Sequence, residues 1–334
     1  MPIIPQLFFG PVLTGAETLS LQQGAIYTRS HRIAETCKVQ TQTEMREIIE
    51  MATERGLSRF ITKSQHAGVS LIPPRNSFTN RELLDGQVGE FTKNIASEMP
   101  IPVLNAPHWA VIFKPQTFER ERIISLSDCW ELIDKCRVSL GSYYPLIKSE
   151  QDHRQHGNDW IASWGQIFSG NRNVYWRLYQ SAQMLHYFSF WEDRDPVLES
   201  IAKTIISYNG KDFAPLGYVD IVYTLYVISE CFEFAARLAQ KGIFGESVTI
   251  LINMIGISRR MLLDRYSEIS IRNIYLSSDN NIGKEWTFKV QDLIGESPHL
   301  ALTVAKWFYE RFGFLNPPLS FLKDKQRNFL DRKS

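Results

Sequence analysis

The chain has 334 residues, 44% of them apolar and 22% charged, with a formal net charge of +1. That length exceeds one small domain and points to two domains or one large mixed one. The near-zero charge excludes a global field that would draw the chain onto nucleic acid or anionic lipid, and leaves only local patches for such contacts.

The four cysteines, Cys37, Cys129, Cys136 and Cys231, form neither a CxxC pair nor a disulfide-framework spacing. They read as reduced thiols of a cytoplasmic protein and not as zinc ligands. The chain start lacks the basic-then-apolar order of a secretion signal. The most apolar run, Ile221 to Ile228, is too short to cross a bilayer. The expectation is a protein without membrane association and without a cofactor.

Residues 1–24 read as loop and short strand, broken by Pro2, Pro5 and Pro11, and Ala25 to Arg29 reads as a strand. Thr41 and Glu44 form a capping box ahead of a helix that Gly56 stops. Met45, Ile48, Ile49 and Ala52 give this helix a single apolar stripe, so it needs something to pack on. Further on, Pro73, Pro74, Pro100 and Pro102, with Gly86 and Gly89, suggest a linker of short elements over 66–107 and a soft domain boundary there.

His108 to Lys114 alternates, with Trp109, Val111 and Phe113 on one face, which predicts a half-buried strand ended by Pro115. Ser125, three residues before Asp128, caps a helix to Cys136 that carries Leu126, Trp130, Ile133 and Cys136 on one side. Val138 to Leu146 reads as a strand bent at Gly141, followed by a polar loop from Lys148 to Asn158. From Gly157 to Asp193 lies the aromatic centre, with half of the chain's eight tryptophans. Val174–Tyr179 and Gln183–Trp191 are expected to pair antiparallel, turning near Gln180, Ser181 and Ala182.

Asp220 to Lys241 is the longest predicted helix, apolar nearly all round in its first half and therefore central, with Gly242 at its end. Val248, Ile250, Ile252 and Met254 line one face of a strand, and Trp286, Phe288 and Val290 suggest another. Ser297 and Pro298 open the last helix and Gly313 closes it. Leu300, Val304, Trp307 and Phe308 form its stripe. The charged tail 323–334 is expected to fray. Irregular mixing of strand and helix predicts an α+β fold: a mixed, mostly antiparallel sheet packed with several helices over 108–322, preceded by a partial strand–helix module over 1–65.

Two ordered sets of residues resemble one family. Gly24-Ala-Ile-Tyr-Thr-Arg-Ser and Thr43-Glu-Met-Arg-Glu-Ile-Ile-Glu are similar to the closing strand and last helix of the Schlafen/AlbA-type DNA- or ATP-binding domain of prokaryotes. The second set begins with His108-Trp109, Lys114-Pro115 and Cys129-Trp130-Glu-Leu. It continues with Gly157-Asn-Asp-Trp-Ile, Trp176-Arg-Leu-Tyr-Gln-Ser, Phe232-Glu-Phe-Ala-Ala-Arg-Leu-Ala and Phe308 to Phe314. This set resembles the C-terminal domain that follows that module.

The resemblance implies a non-catalytic binding or regulatory module for nucleotides or nucleic acid, with a place in defence against phage and mobile elements. The earlier part of the module, about one domain's length, has no counterpart here, and of its binding residues only Arg29 and Arg32 match. The expectation follows that the 41–55 helix packs on a partner chain or a second copy.

Four arrangements are candidates for chemistry. His153, His156 and Asp159 form an H-x2-H-x2-D run able to ligate zinc or iron, against which stands a solvated polar loop. Arg59 and His66 have the spacing of the acid/base pair of HEPN-type ribonucleases, but Gly56 already ends the helix such a pair would need. Together they define an alternative, a nuclease or metal-dependent hydrolase. Cys37 lies six residues after His31 with no orienting acid in sight. Arg172 and Arg177, interleaved with aromatic residues, could line a stacking surface for single-stranded nucleic acid; the competing reading places the same aromatics in the core. Arg177, between Trp176 and Leu178, points opposite to both on a strand.

Overall fold

The structure is a computed structural model. It describes residues 8–9, 26–29, 36–38 and 79–331, the last span apart from 99–102, 105, 141–142, 146–153, 168–171 and 270. The chain divides into two units, Met1–Ser77 and Phe78–Ser334. In the first, β1 (Phe8–Phe9), β2 (Ile26–Arg29) and β3 (Thr36–Lys38) pair antiparallel in that order. The helix expected over 41–55 lies outside the described residues.

The second unit is an α+β fold. Its first element is α1 (Asn80–Glu98), a 19-residue helix inside the stretch expected to be a linker. That expectation is corrected here. Thr79 and Glu82 close a capping box, each side chain accepting the other residue's backbone N–H, and this signal outweighs the loosening effect of Gly86 and Gly89. Next come β4 (His108–Pro115), α2 (Leu126–Cys136), and the short antiparallel pair β5 (Val138–Ser139) and β6 (Tyr143–Tyr144). Ser125 caps α2 by accepting from the Asp128 N–H.

The strands β7 (Arg154–His156), β8 (Trp160–Ile167), β9 (Arg172–Tyr179) and β10 (Met184–Ser189) follow. A 3₁₀ turn (Glu192–Arg194) leads into α3 (Pro196–Tyr208), capped by Asp195 with Pro196 at its first position. Then β11 (Gly217–Asp220) leads into the central helix α4 (Ile221–Gln240). The chain continues with β12 (Ser247–Ile255), β13 (Arg260–Leu263) and β14 (Asn281–Lys289). The helices α5 (Val290–Arg311) and α6 (Leu319–Leu330) complete it.

Seven strands form one antiparallel sheet in the order β14-β12-β4-β10-β9-β8-β7, and β11 pairs parallel with β13 beside it. Period-two alternation of the strands sends residues to two cores. Trp109, Val111, Phe113, Trp176, Phe188, Ile250 and Ile252 pack under α2, α4 and α5. Ala110, Ile112, Tyr175, Tyr179 and Tyr187 pack under Phe91 of α1 on the opposite side. All eight residues of β4 are therefore buried, and the half-buried strand expected there is a two-sided one.

Polar contacts hold α1 in place. Gln183 donates to the Leu84 carbonyl, Ser181 donates to Gln87, and Lys114 Nζ meets Asp85 at 2.8 Å and Glu285 at 2.9 Å.

Several boundaries differ from those read in the sequence. The α5 helix begins at Val290 and is broken at Glu296 (φ −131°, ψ 21°), just before Ser297 and Pro298 restart it. Residues 323–330, expected to fray, belong to α6, where Leu322, Gln326 and Phe329 are buried and Phe329 stacks on Tyr226 at 4.1 Å. No described helix is long and apolar enough to cross a membrane.

Candidate functional site

The floor of the site is the helix-facing side of β9 and β10. Phe188 stands opposite Val174 in the register, and His186 opposite Trp176. Even-numbered residues of both strands share this face, so Arg172, His186 and Phe188 face α4 together. The Arg172 guanidinium lies 4.2 Å from the centre of the Phe188 ring, and the His186 ring lies 4.9 Å from the same ring. Tyr144 of β6 meets the edge of His186 at 4.5 Å.

The roof comes from the start of α4. Asp220 caps it, one carboxylate oxygen accepting from the Tyr223 N–H and the other from the Arg265 N–H. That fixes Tyr223, whose hydroxyl accepts from Arg172 Nη1 and whose ring meets Trp191 edge-on at 5.2 Å. The 3₁₀ turn carries Glu192, which lies within electrostatic reach of Arg172 and Asp220.

Within this frame the polar groups are short of partners. Arg172 is 3% exposed, His186 2% and Glu192 0%. Among the described residues Arg172 makes no ion pair, and its Nε, both ring nitrogens of His186 and both carboxylate oxygens of Glu192 find no hydrogen-bond partner in another residue. Buried polar atoms are almost always paired, so such a cluster calls for an explanation. The neighbouring arginines do not supply one. Arg260 holds Asp193 through two guanidinium nitrogens, and Arg265 holds Asp195.

Burial sets the protonation states. It pushes Glu192 up to about 8, against a hydrogen bond from the residue's own backbone N–H; the charge of Asp220 also raises it, and Arg260 and Arg172 lower it. Burial, reinforced by the Arg172 charge, holds His186 well below the usual histidine range. Asp220 is raised by burial to about 6, less than Glu192 because two backbone N–H groups bond its carboxylate. Near neutral pH the cluster thus presents a fixed cation, a neutral imidazole and a protonated carboxyl group.

The residues singled out in the sequence are placed differently. Arg177 lies on the other face of β9, as its offset of five from Arg172 requires. It is caged by Trp160 at 3.7 Å and Phe91 at 4.7 Å and donates to the Tyr175 hydroxyl at 3.0 Å. Neither arginine reaches a stacking surface. Trp176, Tyr175 and Tyr179 are core residues, because both faces of β9 are covered.

His156 is exposed on the edge strand β7 and Asp159 is half-buried, and no metal-holding group of His, Cys, Asp or Glu occurs among the described residues. His153, Arg59, His66, His31 and Arg32 lie outside the described residues, as do the side chains of Arg29 and Cys37. His186 and Glu192 were missed in the sequence, although a histidine inside the apolar run Met184–Phe188 was a visible signal.

Comparison with protein-family models, with curated proteins and with solved structures finds no match for this chain.

Proposed function

We propose that the chain is a non-catalytic binding module whose second unit takes an anionic group at Arg172. This reading accords with the nucleotide or nucleic-acid handling, in defence against mobile elements, that the Schlafen/AlbA resemblance implies. The observation that carries it is the burial of Arg172 with no carboxylate of the described residues at ion-pair distance, beside orphaned atoms of His186 and Glu192. An isolated buried charge is costly, and an anionic partner removes most of that cost. A ligand held there touches β9, β10, the 3₁₀ turn and α4 at once, which suits a sensor more than a surface that turns over substrate.

The test is a thermal-shift and calorimetric screen of nucleotides, dinucleotides and short oligonucleotides against the wild-type chain and Arg172→Gln. Stabilisation by a phosphate-bearing ligand, lost in the variant, is the expected result, with the size set by ligand concentration over Kd. Cleavage of labelled DNA or RNA with Mg²⁺, Mn²⁺ or Zn²⁺, abolished by His156→Ala or His66→Ala, would instead make the chain an enzyme.

A further inference from the structure

Resting on that reading, we infer that the anionic group at Arg172 is a singly charged oxyanion and that Glu192 serves it as a neutral hydrogen-bond donor, so that ligand and proton occupy the site together. The geometry argues for it in three steps.

First, Glu192 stands among arginines yet pairs with none. Arg260 is taken by Asp193, and Arg172 makes its polar contact with Tyr223. A carboxylate that remained ionised would be expected to claim one of them.

Second, the orphaned atoms around Arg172 are rich in donors. Arg172 Nε–H, one ring N–H of His186 and a protonated Glu192 can all donate. Such a set matches a ligand that only accepts, and a carboxylate or a phosphate oxygen does so.

Third, one guanidinium offsets one negative charge. A second ionised carboxylate beside the ligand would leave an uncompensated buried charge. The groups facing Glu192 are Arg172 on β9, Arg260 on β13 and Asp220 at the α4 cap, joined by Tyr223 of α4, which also feels the buried carboxylate of Glu230. Asp220 is ionised once the pH exceeds about 6 and disfavours a second anion on Glu192. The raised proton affinity of Glu192 agrees with this placement and sets where the coupling appears.

Propionate and dimethyl phosphate test the proposal, because each keeps a single charge between about pH 6.5 and 9.5. Binding to the full chain is measured by calorimetry across that range, in buffers of different ionisation enthalpy so that proton uptake is read directly. Affinity should hold steady up to about pH 8 and then fall about tenfold per pH unit, with up to one proton taken up per ligand. Glu192→Gln, a neutral isostere, should bind at every pH without the fall. Arg172→Gln should lose binding, and a preference for one probe names the oxyanion class.

Binding that does not change with pH, or that falls equally in Glu192→Gln, overturns the proton linkage while leaving anion binding intact. No binding of either probe by the folded wild-type chain at any pH overturns both this inference and the anion-binding reading beneath it.

Discussion

At the residue scale, Glu192 and His186 act on stability with opposite signs. Glu192 is raised from 4.5 to about 8 in the fold. The folded state therefore keeps a proton the unfolded chain releases, so the contribution is complete below about 4.5 and is lost as the pH rises towards 8. Asp220, raised from 3.8 to about 6, behaves likewise at lower pH. His186, lowered well below 6.5, does the reverse: the unfolded chain takes up a proton that the fold refuses, and stability is lost as the pH falls below 6.5. Between these windows, from about pH 6.5 to 8, Glu192 is the group of the three still titrating. The melting temperature of the wild-type chain should fall over that range. For Glu192→Gln it should stay flat, the variant gaining roughly 2 kcal/mol on the wild type. Parallel melting curves for the two proteins would show that Glu192 does not carry the proton.

At the scale of elements, the β9–β10 hairpin is buried along almost its whole length. Trp176 is fully buried and meets Trp130 edge-on at 5.5 Å, which ties the sheet to α2. Trp176→Ala should cost about 3–5 kcal/mol, read by chemical denaturation, and an unchanged midpoint would place the ring outside the core. The hairpin was legible in the sequence because aromatic and β-branched residues flank a short polar turn, and Ala182 with φ 66° makes that turn. The helices α2 and α4 were legible through Ser125, Asp220 and Gly242.

Other elements and the site were harder to read. In β8, Ile161 faces one core while Trp160, Ala162 and Trp164 face the other, so the strand lacks the regular apolar–polar alternation of a half-buried one. The helix α1 went unread because its apolar stripe is thin, with Leu84 and Phe91 its buried apolar anchors and Gln87 buried between them. Arg172 was legible as a candidate, but only the strand pairing brings it to His186, and only the turn after β10 brings in Glu192. Those neighbours lie 14 and 20 positions away in the chain, beyond the reach of any local pattern.

For the whole molecule, the decisive feature is where the core residues come from. Among the described residues three hydrophobic clusters form, all from the second unit. One lies between the sheet and α2, α4 and α5, one under α1, and a smaller one holds α3 against β13. A domain of that size buries about 70–75% of its unfolded surface, enough to fold alone. The α1 helix belongs to it, anchored by Lys114 to Asp85 and by the Gln183 contact with Leu84, so a fragment cut at 108 would strip the cover from Tyr175 and Tyr187. A fragment of residues 78–334 should therefore melt cooperatively within a few degrees of the full chain and keep anion binding at Arg172. One beginning at residue 108 should melt lower or aggregate. Equal behaviour of the two fragments would mean that α1 adds nothing to the fold. Failure of the longer fragment to fold would mean that residues 1–77 are needed to complete it.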